Sequence, residues 1–266
     1  MVKPNPINDI TTDKDFQRYK SWTNSLWTFP RNTDPIKNDY PGLFVYQIPE
    51  RLIVLYTKTG DCVHDYFAGS GTTRRAAMNL NRDSSCFDIV TPKQTREHPG
   101  VRYPTNHFVF PLNATDWGDW ENVKRHMRQR GKAPTLSILH PPYHDIINWG
   151  ESHNCLARIA ERGVEAYLAA MTVVVENAVS CLAKGGHLAL VMGDVYKGSE
   201  LKPASDVMNL VRRHPRMKLK ATYIKDIQGN VNSKGQKNGL WASRAIAGGF
   251  NVMGHEYVFV FRKDRR

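Results

Sequence analysis

With 266 residues, 41% of them hydrophobic, the chain has enough apolar content for one large α/β domain or two small ones, which excludes a disordered tail. Its formal net charge is +12, and the segment from Arg212 to Arg266 carries 13 Lys/Arg against 3 Asp/Glu. Such an excess favours a polyanionic partner, because neutralising phosphates releases condensed counterions, although a merely soluble basic surface has the same composition. No run approaches the roughly 18 consecutive apolar residues of a membrane span, and the polar start Met1-Val2-Lys3-Pro4-Asn5 lacks the apolar stretch of a signal peptide. A cytoplasmic location with no membrane partner is the expectation. The cysteines Cys62, Cys86, Cys155 and Cys181 show no C-x-x-C spacing and read as reduced, partly buried thiols, so neither a metal nor a disulfide is indicated.

In chain order, residues 1–38 read as a polar and aromatic N-terminal arm containing Trp22, Trp27 and Phe29, either packed on the domain or part of a nucleic-acid surface. Residues 39–266 read as a single domain. Ile48–Thr57 predicts a short amphipathic helix, with Pro49 suited to its first turn and Leu52, Ile53 and Tyr56 sharing a face. Strands and helices then alternate: a strand at Cys62–Tyr66, a helix at Thr72–Leu80, strands at Ser85–Val90 and His107–Leu112, and a helix at Trp120–Arg130. A strand at Thr135–His140, a long helix at Val164–Leu182 and a strand at His187–Met192 follow. This alternation predicts a mostly parallel sheet with helices on both faces. Lys218–Ile227 and Glu256–Arg262 instead alternate apolar and polar residues, as an antiparallel edge pair does. Between them, residues at about 228–250 form a long glycine-rich, basic loop.

Two short segments, each directly after a buried-strand pattern, carry the chemistry. Asp65-Tyr66-Phe67-Ala68-Gly69-Ser70-Gly71-Thr72-Thr73 is a strand-to-helix turn whose glycines let the backbone approach a ligand closely; no G-K-[ST] follows, so it is not a phosphate loop. His140-Pro141-Pro142-Tyr143 is a rigid turn tipped by an aromatic ring suited to holding a planar base. Together they resemble the S-adenosylmethionine-dependent DNA methyltransferases that modify exocyclic amines, N6 of adenine or N4 of cytosine. The first segment is similar to that family's D-P-F-x-G-S-G-T-T motif with Tyr66 in place of proline, and the second to D/N/S-P-P-Y with His140 in the first position. Further likenesses are Tyr40–Pro49 to the family's motif X, Leu182–Asp194 to its helix-Gly-Gly-strand element, and Gly254–Phe261 to its closing H-E-Y strand. No inserted block is large enough for a separate recognition domain.

The resemblance implies a Rossmann-like methyltransferase fold, S-adenosyl-L-methionine as cofactor and DNA as partner, with the target base flipped out of the duplex. It implies cofactor contacts from Gln47 and Pro49, from the turn residues Phe67, Ala68, Gly69, Ser70, Gly71 and Thr72, and from Asp65 to the methionine ammonium. Asp88 would accept the ribose hydroxyls, and Asn113 or Asp116 would contact the adenine amine. Catalysis would fall to the four residues of the second motif. An exocyclic amine is a poor nucleophile because its lone pair is delocalised, so the site must hold both amine hydrogens on fixed acceptors and aim the nitrogen at the methyl group. By the resemblance, His140 and the Pro141 carbonyl would be those acceptors, Pro141-Pro142 would stiffen the turn, and Tyr143 would stack on the base. A neutral imidazole has one acceptor nitrogen, so this role requires His140 unprotonated. A lone histidine at a strand end is more often structural; the Pro-Pro-Tyr that follows assigns this one a role.

Target contacts would come from the N-terminal arm, from the stretch through Trp149 and His153, and from the basic loop, where Lys234, Lys237 and Arg244 face phosphate and Trp241 stacks or wedges. Two other readings fit the same sequence. One is an RNA base methyltransferase, since related turns serve RNA enzymes. The other is a non-catalytic DNA-binding protein with a degenerate fold, motivated by His140 and Asn113.

Overall fold

Three short segments, Cys62–Asp65 (β2), Leu136–Leu139 (β5) and His187–Met192 (β6), are buried at every position, as strands covered on both faces must be. They form the centre of an eight-stranded sheet in the computed structural model, which describes residues 7–29, 44–89, 104–143, 155–197, 200–202, 204–226 and 238–264. With β3 (Asp83–Asp88), β4 (His107–Pro111), β9 (Met217–Asp226), β10 (His255–Lys263) and β1 (Leu26–Trp27), the strand order is β1-β9-β10-β6-β5-β2-β3-β4. The five strands from β6 to β4 are parallel, while β10 runs antiparallel to both β6 and β9. This is the Rossmann-like sheet with an antiparallel C-terminal pair that the alternation predicts. The chain leaves β2 towards β3 and β4 on one side, then returns to place β5 on the other. The crevice between the carboxyl ends of β2 and β5 is therefore the topological switch point, where such sheets bind ligands.

Alternation along the strands divides the core into two layers. Leu188, Leu190 and Met192 of β6 join Trp120 of α4 (Trp117–Arg130) and Tyr167, Met171 and Val175 of α6 (Val164–Cys181). Ala189 and Val191 point the other way, to Leu52 and Ile53 of α2 (Gln47–Tyr56) and Ala76 and Ala77 of α3 (Thr72–Asn79). At 18 residues, α6 has the length and apolarity to cross a membrane, and it buries Tyr167, Met171, Val174, Val175 and Ala178 at helical spacing against the sheet. Its carboxyl end is closed by the buried Lys263 ammonium, which donates to the Val179 and Leu182 carbonyls at 2.5 Å each. All four cysteines are buried free thiols.

The differences from the sequence reading have local causes. β3 begins at Asp83 rather than Ser85, because its ladder with β2 starts at Cys62 opposite Asp83 and recruits polar residues. α4 begins at Trp117 rather than Trp120, because the Asp116 carboxylate accepts from the Gly118 and Asp119 amides and caps the first turn. Within the expected basic loop at 228–250, Asn238–Gly248 is a helix (α8). Ala242, Ala245 and Ala247 supply the helix propensity that the flanking glycines masked. The sequence reading also passed over α1 (Asp13–Tyr19), α5 (Leu156–Ala160), the hairpin of β7 (Val195–Lys197) and β8 (Glu200–Lys202), and α7 (Ala204–Arg213).

The described part of the first 38 residues is packed onto the sheet. β1 adds a parallel strand outside β9, so the antiparallel pair is itself flanked. Trp27 is fully buried and stacks on Tyr223 at 4.3 Å. The Arg51 guanidinium lies 4.8–5.3 Å from the rings of Trp22, Trp27 and Phe29. Farther up the chain, Asp9 pairs with Arg82 at 2.8 Å.

Candidate active site

The cofactor turn leaves β2 as a braced structure. Asp65 is buried, and its two carboxylate oxygens accept from the Phe67 amide at 2.9 Å and the Thr73 hydroxyl at 2.5 Å. Burial pushes its carboxyl up to about 6; the bonds from Thr73 and Phe67 oppose the rise, and the charge of Asp88 adds to it. Gly69 and Gly71 both have positive φ, 48° and 77°, and Gly71 is the residue from which α3 starts. The Gly69 amide donates to Asp88 at 2.7 Å, the Gly71 amide to the Ala68 carbonyl at 2.8 Å, and Arg75 to the Ser70 carbonyl at 3.0 Å. Ala68, Gly69, Ser70, Gly71 and Thr72 are buried in this turn, and Phe67 is half-buried beside them.

The remaining residues assigned to the cofactor come from α2, the end of β3 and the segment after β4. Gln47 opens α2, and its Oε1 is buried with no hydrogen-bond partner among the described residues; Pro49 is buried two residues further along. Asp88 ends β3 and is half-buried. Asn113 follows β4, where its Oδ1 accepts from the Thr115 amide at 3.1 Å and the Thr115 hydroxyl at 2.8 Å, an Asx turn. Asp116 is exposed and engaged as the cap of α4.

The second motif leaves β5, the strand beside β2, with Ile138 in register opposite Asp65. His140 is half-buried, its ring 4.4 Å from that of Phe44 and its Nε2 3.0 Å from the Tyr143 hydroxyl. Pro141 is buried, and the Pro142 carbonyl accepts from the Tyr167 hydroxyl of α6 at 2.8 Å. Burial, with Lys225 adding and Glu256 opposing, holds the His140 imidazole down to about 4, so it is neutral at physiological pH. The Tyr143 phenol is pushed well above its ordinary range by burial, by the charge of Glu256 and by a hydrogen bond to that carboxylate. Glu256 and Lys225 are cross-strand partners on β10 and β9 and form an ion pair at 3.4 Å. At the end of β6, Gly193 leaves room for Tyr143: a Cβ there would stand 3.1 Å from the Tyr143 ring and 3.7 Å from the Glu256 side chain.

A family model described as DNA methylase, N6_N4_Mtase, matches residues 3–91. That match covers the cofactor turn and the packed N-terminal segment, and it agrees with two curated relatives. The chain is similar to Type II methyltransferase M.MjaI of Methanocaldococcus jannaschii, 36% identical over 70 residues, which are 26% of this chain and 23% of that one. It is also similar to Type II methyltransferase M.BglI of Bacillus subtilis, 39% identical over 70 residues, 25% of this chain and 19% of that one. Residues 3–91 are thus similar to the DNA amino-methyltransferase family. The aligned stretch spans about a fifth of the length of those relatives. Among solved structures, the N-methyltransferase NodS from Bradyrhizobium japonicum WM9, in complex with S-adenosyl-L-homocysteine, is 11% identical with a TM-score of 0.48, covering 82% of this chain and 85% of that one.

The likeness of residues 3–91 to that family points to S-adenosyl-L-methionine as the cofactor, and the residues present fit it. The turn is preformed, nothing lies within 4 Å of where a Gly71 Cβ would be, and the orphaned Gln47 Oε1 is a buried acceptor of the kind a ligand donor satisfies. The sequence reading missed Phe44, Tyr167, Gly193, Lys225 and Glu256. Glu256 and Gly193 stood inside quoted motifs, but nothing in spacing alone says which strand ends meet. Lys225 and Tyr167 carried no local signal. Asp194, also in a quoted motif, accepts from the Ala204 amide and caps the start of α7. His255 packs edge-on against Tyr257 at 4.8 Å. Of the residues assigned to nucleic acid, Arg244 is exposed on α8 and Trp241 belongs to the same helix. Lys234, Lys237, Trp149, His153 and Tyr40–Gly42 lie outside the described residues.

Proposed function

We propose that the chain transfers a methyl group from S-adenosyl-L-methionine to an exocyclic amine of a DNA base flipped out of the duplex, with N6 of adenine as the first target to test and N4 of cytosine as the alternative. The observation that carries this reading is the adjacency of the two motifs: the braced glycine turn and the His-Pro-Pro-Tyr turn leave neighbouring parallel strands, Asp65 opposite Ile138, at the switch point of the sheet. The cofactor supplies an electrophilic methyl group. Asp65 and Thr73 hold the turn, and Asp88 holds the Gly69 amide, so the cradle is organised before binding. The neutral His140 imidazole offers one acceptor for the amine and the Pro141 carbonyl the other, which orients the nitrogen without a charged base. Tyr167 fixes the Pro142 carbonyl, which keeps the turn from swinging. Arg244 and the basic C-terminal region supply phosphate contacts.

Incubation of the purified chain with methyl-labelled cofactor and unmethylated duplex DNA, single-stranded DNA or RNA, followed by nucleoside mass spectrometry, tests the reading. Label in N6-methyladenine or N4-methylcytosine of DNA is the expected result. Label in RNA alone would overturn it, and undiminished turnover of His140→Ala would remove His140 from the mechanism.

A further inference from the structure

Three strand ends converge behind the His-Pro-Pro-Tyr turn. β5 delivers His140, β10 carries Glu256 at its second position, and β9 ends just after Lys225, paired in register with Glu256. Lys225 is buried, and its ammonium lies 3.4 Å from the Glu256 carboxylate. Glu256 in turn meets the Tyr143 hydroxyl, and Tyr143 meets His140 Nε2 at 3.0 Å. The result is a chain of four side chains, Lys225–Glu256–Tyr143–His140, in which only some proton positions are consistent.

An ionised carboxylate accepts hydrogen bonds and cannot donate them. Tyr143 has a single hydroxyl proton; donated to Glu256, it leaves only lone pairs facing His140. His140 must then supply the proton of the 3.0 Å contact from Nε2, and a neutral imidazole carries only one N–H. Nδ1 is left as the acceptor nitrogen. We infer that Glu256, paired with Lys225, is a positioning residue that acts through Tyr143 to fix the His140 tautomer with the proton on Nε2 and Nδ1 free to accept from the substrate amine. The substrate part of this inference rests on the methyl-transfer reading above; the proton arrangement does not. Tyr143 thereby has a second task besides offering a ring face, and the strand pair β9–β10 becomes part of the active centre through Lys225 and Glu256.

Long-range proton–nitrogen correlation spectra of the chain labelled with nitrogen-15 histidine at pH 7 distinguish the two neutral tautomers. For the unaltered chain, a His140 signal with Nε2 protonated is expected. In Glu256→Gln the amide can donate to or accept from Tyr143, so the signal should move towards a mixture of tautomers. Turnover should fall roughly 10- to 100-fold, as for a misdirected acceptor, with cofactor affinity little changed. Tyr143→Phe, which keeps the ring and removes the relay, should release the tautomer in the same way and serves if Glu256→Gln does not fold. A His140 signal protonated on Nδ1 in the unaltered chain, or a tautomer unmoved in both variants, would overturn the inference. A fixed Nε2–H tautomer that is lost in the variants, in a chain that methylates no DNA, would uphold the proton relay and refute the functional reading instead.

Discussion

Asp65→Asn should make the protein more stable at neutral pH and remove a pH dependence, because the carboxylate that braces the cofactor turn is held charged at a cost. Its carboxyl is pushed from 3.8 to about 6 by burial, against the opposing bonds from Thr73 and Phe67. A rise of that size corresponds to about 3 kcal/mol between the protonated and ionised forms. Between those two values the native state binds more protons than the unfolded chain, so this group's contribution to stability is fully present below pH 4 and is lost as pH rises through 6. The amide has no such titration. It can keep the Phe67 amide bond through its oxygen, while the Thr73 hydroxyl turns to accept from its NH2 group. Urea unfolding of both proteins from pH 3.5 to 7.5 gives the difference in stability directly. The variant should gain about 3 kcal/mol relative to the unaltered chain across pH 4 to 6, and the proposed pairing of Asp65 with the methionine ammonium predicts weaker binding of S-adenosyl-L-methionine. A flat difference curve, or one in which the unaltered chain gains with rising pH, would refute this account of Asp65.

Burial keeps His140 down at about 4, so the limb of the rate profile that it governs should fall only as pH drops through that value; a limb centred near 6.5 that disappears in His140→Asn would contradict this. Gly193→Ala puts a methyl group 3.1 Å from the Tyr143 ring, so turnover should fall severalfold while calorimetry shows a loss of about 1 kcal/mol, the low end for overpacking. Lys263→Met removes two hydrogen bonds to the carbonyls that end α6 and should cost about 2 kcal/mol in urea unfolding, with cofactor affinity unchanged because α6's carboxyl end is remote from the turn.

Much of the cofactor half was legible because it is written locally. The apolar run of β2, the glycines at Gly69 and Gly71 and the opening of α3 at Thr72 occupy consecutive positions, and positive φ at both glycines follows from the tight turn they make. The catalytic half was legible only at its tip. His140 to Tyr143 are contiguous, but the groups that set their protonation and hold their backbone come from α6, β9 and β10. Asp116 has a role that its place after β4 did not announce: its carboxylate starts a helix. The basic loop misled through its composition, since glycines at both ends concealed an alanine-rich helix at Asn238–Gly248.

The sequence by itself determined the alternation of strands and helices, the glycine turn and the Pro-Pro turn, because periodicity, propensity and turn chemistry act between residues only a few positions apart. The tertiary structure alone decided that β2 and β5 lie side by side, that Trp27 seals the edge beyond β9, and that Lys225 and Glu256 stand behind His140 and Tyr143. Those outcomes depend on which strands pair and in what register. Pairing is settled by burying whole apolar faces against partners far away in the chain, a condition that no short stretch of residues can express.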